Sequence, residues 1–465
     1  MRKRHRKSLS FRGGCCKLRK YKRIRKKVIM KLKIENIGKI KNAEVRLDGL
    51  TVICGKNNTG KSTIGKILYA AFNSLYDIEK KVKDKKQSEI SRICNELFQK
   101  IEMRSYDLNI LPFRWERARR ENPVTLAKWI TNNESIDENE YSDKVFELLG
   151  RKYSEDTVAR IREINFDNYS KILEIIDTEY KMVAAELIGR YFNTVFSNQV
   201  NKLDMNTTAA VNMEIKKKVV DIAFKEDKCM EWKSELLIGH EAFFIDAPFI
   251  IDQLNRRSYV DYQSGNIHDE LINRLLKKSD DIMDDLFGSV SRRKQSDSIL
   301  AILDSVACGK IAEQEGTWGF LSPASKEAVK VENLSTGLKS FMIIRLLLEK
   351  GILKEKDVLI LDEPEIHLHP EWQLNYAEII VLLQKYFDLT IIVTTHSSHF
   401  LEALNYYAKK HQLSDKCNYY LAESDNSFVG FKDMTDNLEK IYAQLISPSM
   451  LLDELKYEMD ESDEE

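Results

Sequence analysis

The chain lacks the long apolar segments that would anchor it in a bilayer. No run among its 465 residues approaches the roughly 18 needed to span one, and stretches such as "FFIDAPFII" are short and carry an acid. Its seven cysteines, at 15, 16, 54, 94, 229, 308 and 417, include no Cys-x-x-Cys pair. That argues against a zinc site or a dithiol motif. They read as reduced thiols of a cytoplasmic protein, with those outside the N-terminal tail packed in the core. Seven prolines are too few for long disordered linkers. No internal repeat and no sustained heptad appears, so neither a solenoid nor an extended coiled coil is expected. The first 27 residues carry no acid, and they lack the apolar stretch expected of a signal peptide.

What is present is a chain long enough for two or three domains, 43% hydrophobic and 31% charged, as expected of a globular protein with charged surface helices. The 73 basic and 73 acidic residues cancel, but unevenly: 14 of the basic ones lie in residues 1–27. Residues 1–29 therefore read as a basic extension, either a disordered tail or an electrostatic contact for nucleic acid. Residues 451–465 form an acidic tail.

Residues 31–54 read as short strands, the last of them, "LTVICG", apolar and running into a glycine loop. "KSTIGKILYAAFNSLY" then has helical periodicity, and 78–195 is mostly helical and highly charged. Residues 209–225 suggest a hairpin, Ala242–Asp252 a strand and its edge, and 269–287 and 297–307 helices. From 309, strands alternate with helices, which implies a covered, largely parallel sheet. We expect an α/β fold with a mixed sheet. Residues 30–77 and 301–450 would make one nucleotide-binding domain, with 78–300 as a mainly helical insertion carrying some strands.

"GKNNTGKST" fits G-x-x-x-x-G-K-S/T between a strand and a helix. Such a loop, here Gly55, Lys56, Asn57, Asn58, Thr59, Gly60, Lys61, Ser62 and Thr63, wraps phosphate oxygens with backbone N–H groups. Its lysine reaches the β- and γ-phosphates and its serine hydroxyl ligates Mg²⁺. In "DVLILDEPE" a buried strand delivers Asp362, a Mg²⁺ partner through water, and Glu363, placed to orient or deprotonate the attacking water. His396 follows a second buried strand and can sense the γ-phosphate. His367 and His369 have His-x-His spacing without clear further ligands, so a loop role is preferred to a metal. His399 is given no role. In "NLSTGLKS", Ser335 and Gly337 open a second helix, suited to another face of a triphosphate. The first loop already holds one nucleotide in its own chain, so the economical arrangement is a head-to-tail pair of chains. Read alone, Ser335 is also an ordinary helix cap.

Together these motifs resemble the ABC-type ATPase heads of the SMC, Rad50 and RecF group, and more narrowly the OLD-like AAA-15/AAA-21 ATPases. The resemblance rests on about 31–77 and 309–425. It implies that Gly55, Lys61 and Ser62 are Walker A residues, Ser335 and Gly337 the ABC signature, Asp362 and Glu363 Walker B and the catalytic glutamate, and His396 the switch histidine. No Q-loop glutamine is evident; Gln99 and Gln253 are candidates by composition only. About 40 residues follow "NYYLAE", too few for the Toprim nuclease domain of OLD proteins. Such ATPases resemble subunits of the Septu, PARIS and retron-associated anti-phage systems, which work with a separate nuclease or toxin-like effector.

The expectation is an ATPase using ATP and Mg²⁺, forming a homodimer or higher homo-oligomer around ATP and switching a separate effector. One alternative is a RecF- or SMC-like repair ATPase that binds DNA directly, motivated by the basic stretches Arg114–Arg120 and Ser291–Lys294. Another is a scaffold stabilised by ATP with little turnover.

Overall fold

The computed structural model describes residues 30–447, except 104–114, 134, 151–153, 203–206, 257–265, 277–296, 326 and 426–427, together with 451, 455 and 456. The basic extension, Ser291–Lys294 and nearly all of the acidic tail lie outside the described residues, as do the side chains of Arg114–Arg120.

In chain order the elements are β1 (Met30–Ile37), β2 (Ile40–Arg46), β3 (Leu50–Gly55), α1 (Lys61–Leu75), α2 (Ile78–Met103), α3 (Trp115–Asn132), α4 (Glu138–Leu149), α5 (Glu155–Asp177) and α6 (Tyr180–Val195). There follow β4 (Ala209–Ile215), β5 (Lys218–Lys225), β6 (Lys228–Ser234), β7 (Ala242–Ile245), a 3₁₀ turn (Pro248–Asn255) and α7 (Ile267–Leu276). After helix α8 over 297–306 come β8 (Lys310–Gln314), β9 (Thr317–Leu321), β10 (Val329–Lys330), α9 (Thr336–Glu349), β11 (Val358–Asp362), α10 (Pro370–Phe387), β12 (Thr390–Thr395) and α11 (Ser398–Lys410). Strands β13 (Cys417–Asp425) and β14 (Phe428–Asp433) and a helix α12 over 438–447 complete the order.

Eleven strands form one sheet, in the order β6-β5-β4-β1-β2-β14-β13-β3-β12-β11-β7. The run β13-β3-β12-β11-β7 is parallel throughout. These strands are buried on both faces, so β3, β11 and β12 read as near-continuous apolar runs rather than alternating ones. The rest is antiparallel apart from the β14–β2 bridge. Strands β8–β10 make a separate small sheet.

The pleat sorts the central side chains into two cores. Leu359, Leu361, Ile391 and Val393 face a core shared with α9, α10 and α11. Ile53, Ile360 and Ile392 face the other core, with α1 and α6. Helices α1 and α9 therefore cover opposite faces of the sheet.

The segment 78–300, expected as one insertion, is divided in the structure. Strand β4 pairs with β1 and β7 with β11, which places residues 209–245 in the main sheet. The helices α2–α5 instead keep their own core, built on Ile90, Leu97, Leu126, Tyr141 and Ile161. Ala242–Asp252 is a four-residue strand followed by a 3₁₀ turn that begins at Pro248. Among the cysteines described, Cys54, Cys94 and Cys417 are buried, but Cys229 is half-buried and Cys308 exposed.

Candidate functional site

The register gathers the candidate residues. Cys54 lies opposite Thr395, and Asp362 opposite Thr394. The loop after β3, the end of β11 and the end of β12 thus meet at one carboxyl edge of the parallel strands, where ligands bind in open α/β sheets.

The loop after β3 has the conformation its sequence implied. Gly60 opens α1 at φ 70°, and a β-carbon at Gly55 would sit 2.6 Å from the Ala422 carbonyl oxygen. Neither position accepts a side chain without strain. Thr59 is buried and its hydroxyl donates to the Lys56 carbonyl at 2.7 Å, while Lys56, Asn57 and Asn58 are exposed. Asn58, itself at φ 63°, accepts from Lys39 Nζ at 2.6 Å. The Thr63 N–H donates to the Gly60 carbonyl at 3.1 Å.

Lys61 is 4% exposed. Its ammonium donates to the carbonyls of Gly55 (3.1 Å) and Lys56 (3.0 Å) and lies 3.3 Å from Glu363 Oε1. A buried ammonium in this position is held by three oxygens and aimed across the loop. The Thr394 hydroxyl donates to Asp362 Oδ1, and the Ser62 hydroxyl acts on the same carboxyl. Burial pushes the Asp362 carboxyl above its ordinary range, opposed by the hydroxyls of Thr394 and Ser62. A hydroxyl beside a carboxylate is a hard-oxygen pair that fits Mg²⁺, which takes few protein ligands and completes its shell with phosphate and water.

Glu363 has φ 49°, the left-handed region that a non-glycine residue occupies at a cost of about 1–3 kcal/mol. The conformation is fixed by its N–H, which donates to both the carbonyl (3.1 Å) and the hydroxyl (3.0 Å) of Thr394. Its carboxylate lies between Lys61 and His396, whose Nδ1 is 3.5 Å from Glu363 Oε2.

Glu365, two residues on, had no role in the sequence reading. It is 3% exposed, and its Oε1 accepts from the Thr395 hydroxyl and from the His396 N–H at 3.3 Å. Burial raises its carboxyl above the ordinary range, against the Thr395 hydrogen bond. It ties the segment after β11 to the segment after β12, and so fixes the backbone that carries His396.

Ser335 and Gly337 lie apart from this group, at the start of α9 on the other face of the sheet. Ser335 is exposed and caps the helix, its Oγ accepting from the Leu338 N–H at 3.4 Å. Gly337 has an intrachain reason to be glycine. A β-carbon there would lie 3.0 Å from the His367 carbonyl oxygen and 3.1 Å from the Trp372 ring. His369 caps α10 with Nδ1, and the His367 ring packs edge-on to Phe249. His399 Nε2 lies 3.4 Å from the Pro370 carbonyl oxygen. No group of three or more His, Cys, Asp or Glu side chains placed to hold a metal occurs among the described residues. Of the glutamine candidates, Gln99 is on the exposed face of α2, and Gln253 lies in the 3₁₀ turn with its Oε1 buried.

A phosphate-wrapping loop, a buried lysine and a hydroxyl–carboxylate pair at one sheet edge define a P-loop nucleotide-binding domain. The family AAA_15, the AAA ATPase domain, matches residues 28–401, and the chain belongs to it. Among curated proteins it is similar to the Septu protein PtuA of Bacillus thuringiensis, 24% identical over 280 residues. That match covers 56% of this chain and 64% of the relative, so the chain spans less than two thirds of that protein's length. Among solved structures it is similar to an SMC head domain from Thermotoga maritima (11% identity, TM-score 0.36, covering 87% of this chain and 97% of that one). It is also similar to an Smc head bound to the C-terminal winged-helix domain of ScpA (14%, 0.40, 87% and 96%). No described helix is long and apolar enough to cross a membrane.

Proposed function

We propose that the chain is an ATP-driven switch of an anti-phage defence system, in which ATP joins two copies head to tail and hydrolysis releases them. The observation that carries this reading is the convergence of Lys61, Ser62, Asp362, Glu363 and His396 at one sheet edge. Lys61 and the loop N–H groups would hold the triphosphate, and Ser62 and Asp362 would hold Mg²⁺, which supplies charge neutralisation at the β- and γ-phosphates when bound. Glu363 would take a proton from the attacking water, with His396 beside it to stabilise charge on the transferred group.

The sandwich is supported by the placement of α1 and α9 on opposite faces of the sheet. The helix start at Ser335 therefore lies across the sheet from the one at Lys61, and a second copy would bring one chain's Ser335 to the other chain's Lys61. Similarity to the Septu protein PtuA supports the defence setting and a separate effector. Helices α2–α5, with a core of their own, are the surface we assign to that effector or to a trigger.

The test compares two variants. Lys61→Ala should lose ATP binding. Ser335→Arg should bind ATP like the parent yet fail to form an ATP-dependent dimer in light scattering, and should not hydrolyse ATP. Losing the cap costs about 1 kcal/mol, so the fold survives. Parent-like hydrolysis by Ser335→Arg would reduce that residue to a helix cap and remove the sandwich.

A further inference from the structure

A cavity of about 290 Å³ opens toward the opposite end of the parallel strands from the candidate nucleotide site. Ala242, which begins β7 and pairs with Val358 at the start of β11, forms part of its wall. Tyr69 and Asn73 of α1 form another part, roughly 12 and 18 Å along that helix from Lys61 at 1.5 Å per residue. With roughly 30 Å³ per water in the liquid, the volume has room for a ligand of about ten non-hydrogen atoms.

The walls are held in place. The Asn73 side chain exchanges two 2.8 Å hydrogen bonds with the backbone of Ala242, and Arg274 of α7 is paired with Glu241 at the foot of β7. Lys80, Asp77 and Asp84 stand exposed at the rim. Less accessible are Lys81 of α2 and Glu270 of α7, which line the same cavity with opposite charge. Lys81 donates to the Asn73 carbonyl, and its ammonium lies 5.2 Å from the centre of the Tyr191 ring. Glu270 accepts from the hydroxyls of Tyr69, at 2.6 Å, and Tyr191. Among the described residues the two charges act on each other without forming an ion pair. Burial holds the Lys81 ammonium below its ordinary range and the Glu270 carboxyl above its own, so each is stabilised by an opposite charge brought to it. An ammonium has three donors and a carboxylate about four acceptor positions, so about two remain on each.

We infer that this cavity binds a small zwitterion, an α-amino acid with an apolar side chain, its carboxylate on Lys81 and its ammonium on Glu270. Opposite charges that face one cavity without touching are both satisfied by a ligand carrying both signs; a ligand of one sign leaves the other group desolvated and uncompensated. Phe243, Phe244, Ile267 and Leu271 supply the apolar part of the lining. Leucine and phenylalanine, with about nine and twelve non-hydrogen atoms, match the volume. Lys81 lies in the first turn of α2, close after the end of α1, so the bound molecule ties the root of the helical unit to α7.

The experiment is isothermal titration calorimetry of the full chain with leucine and with phenylalanine. The controls are isoamylamine, which is leucine without its carboxylate, and 4-methylpentanoate, which is leucine without its ammonium. At least one of the amino acids should bind, and the analogues lacking one charge should bind about 10- to 100-fold more weakly, the worth of one charge-assisted hydrogen bond. Glu270→Gln and Lys81→Met should each weaken the amino acid by a similar factor, and Lys81→Arg should recover part of the loss. Absence of binding by both amino acids at millimolar concentration overturns the assignment. So does equal binding of a single-charge analogue, which requires no variant to fold, or parent-like affinity in Glu270→Gln.

Discussion

Replacing Glu363 by Gln tests the catalytic arrangement most directly, because binding and turnover should move in opposite directions. The carboxylate sits 3.3 Å from Lys61 Nζ, in a pocket where Lys61 is 4% and Glu363 22% exposed. A triphosphate must compete with it for the same ammonium. A charge-assisted hydrogen bond has a net worth of about 1.5–3 kcal/mol. Removing the competitor should therefore tighten ATP binding roughly 10- to 100-fold. Lys61 is not left unpaired, since the Gly55 and Lys56 carbonyls remain at 3.1 and 3.0 Å. Gln also keeps the backbone N–H bonds to Thr394 that fix the left-handed conformation. Hydrolysis should fall by about 10²- to 10⁴-fold, the usual contribution of a positioned base. Equilibrium titration with a fluorescent ATP analogue gives the first quantity and single-turnover phosphate release the second. Parent-like phosphate release, or ATP binding weaker than the parent's, would refute the reasoning.

Two further outcomes concern the scaffold. Gly65→Ala places a methyl 2.7 Å from Ile360 and 3.0 Å from Phe244, so it should lower stability to chemical denaturation by about 1–3 kcal/mol, as overpacking does; an unchanged midpoint would show that α1 stands off the sheet more than described. Burial raises the Asp357 carboxyl to about 7, although the N–H groups of Lys354 and Glu241 donate to it. A carboxyl raised on folding binds more protons in the folded state than in the unfolded one, so its contribution falls as pH rises from about 4 to 7. The stability of Asp357→Asn relative to the parent should accordingly improve between pH 5 and 8; a difference that is flat across that range contradicts the assignment.

The phosphate loop was legible because its chemistry is local: glycines, a lysine and a serine at fixed spacing after an apolar strand. Asp362 and Glu363 were legible for the same reason, as were the hairpin of β4 and β5 and the helical character of 78–195. Strand β6, "KCMEWKS", was missed because it is the outer edge of the sheet, where no side is fully buried and no alternation develops. Glu365 was missed because nothing near it in sequence states what it faces. Glu365 acquires its contacts from Thr395 and His396, some 30 residues on.

Sequence by itself determined the parts that are recognised from spacing along the chain: the glycine loop, the strand-end acids and the capped turn at Ser335. The tertiary structure decided what stands beside what. Pairing of β4 with β1 and of β7 with β11 drew residues 209–245 into the main sheet and left α2–α5 as the helical unit. Backbone hydrogen bonding across the sheet is non-local, and it is this pairing that sets Asp362 beside Thr394, while packing on opposite faces separates the helix starting at Ser335 from the one starting at Lys61.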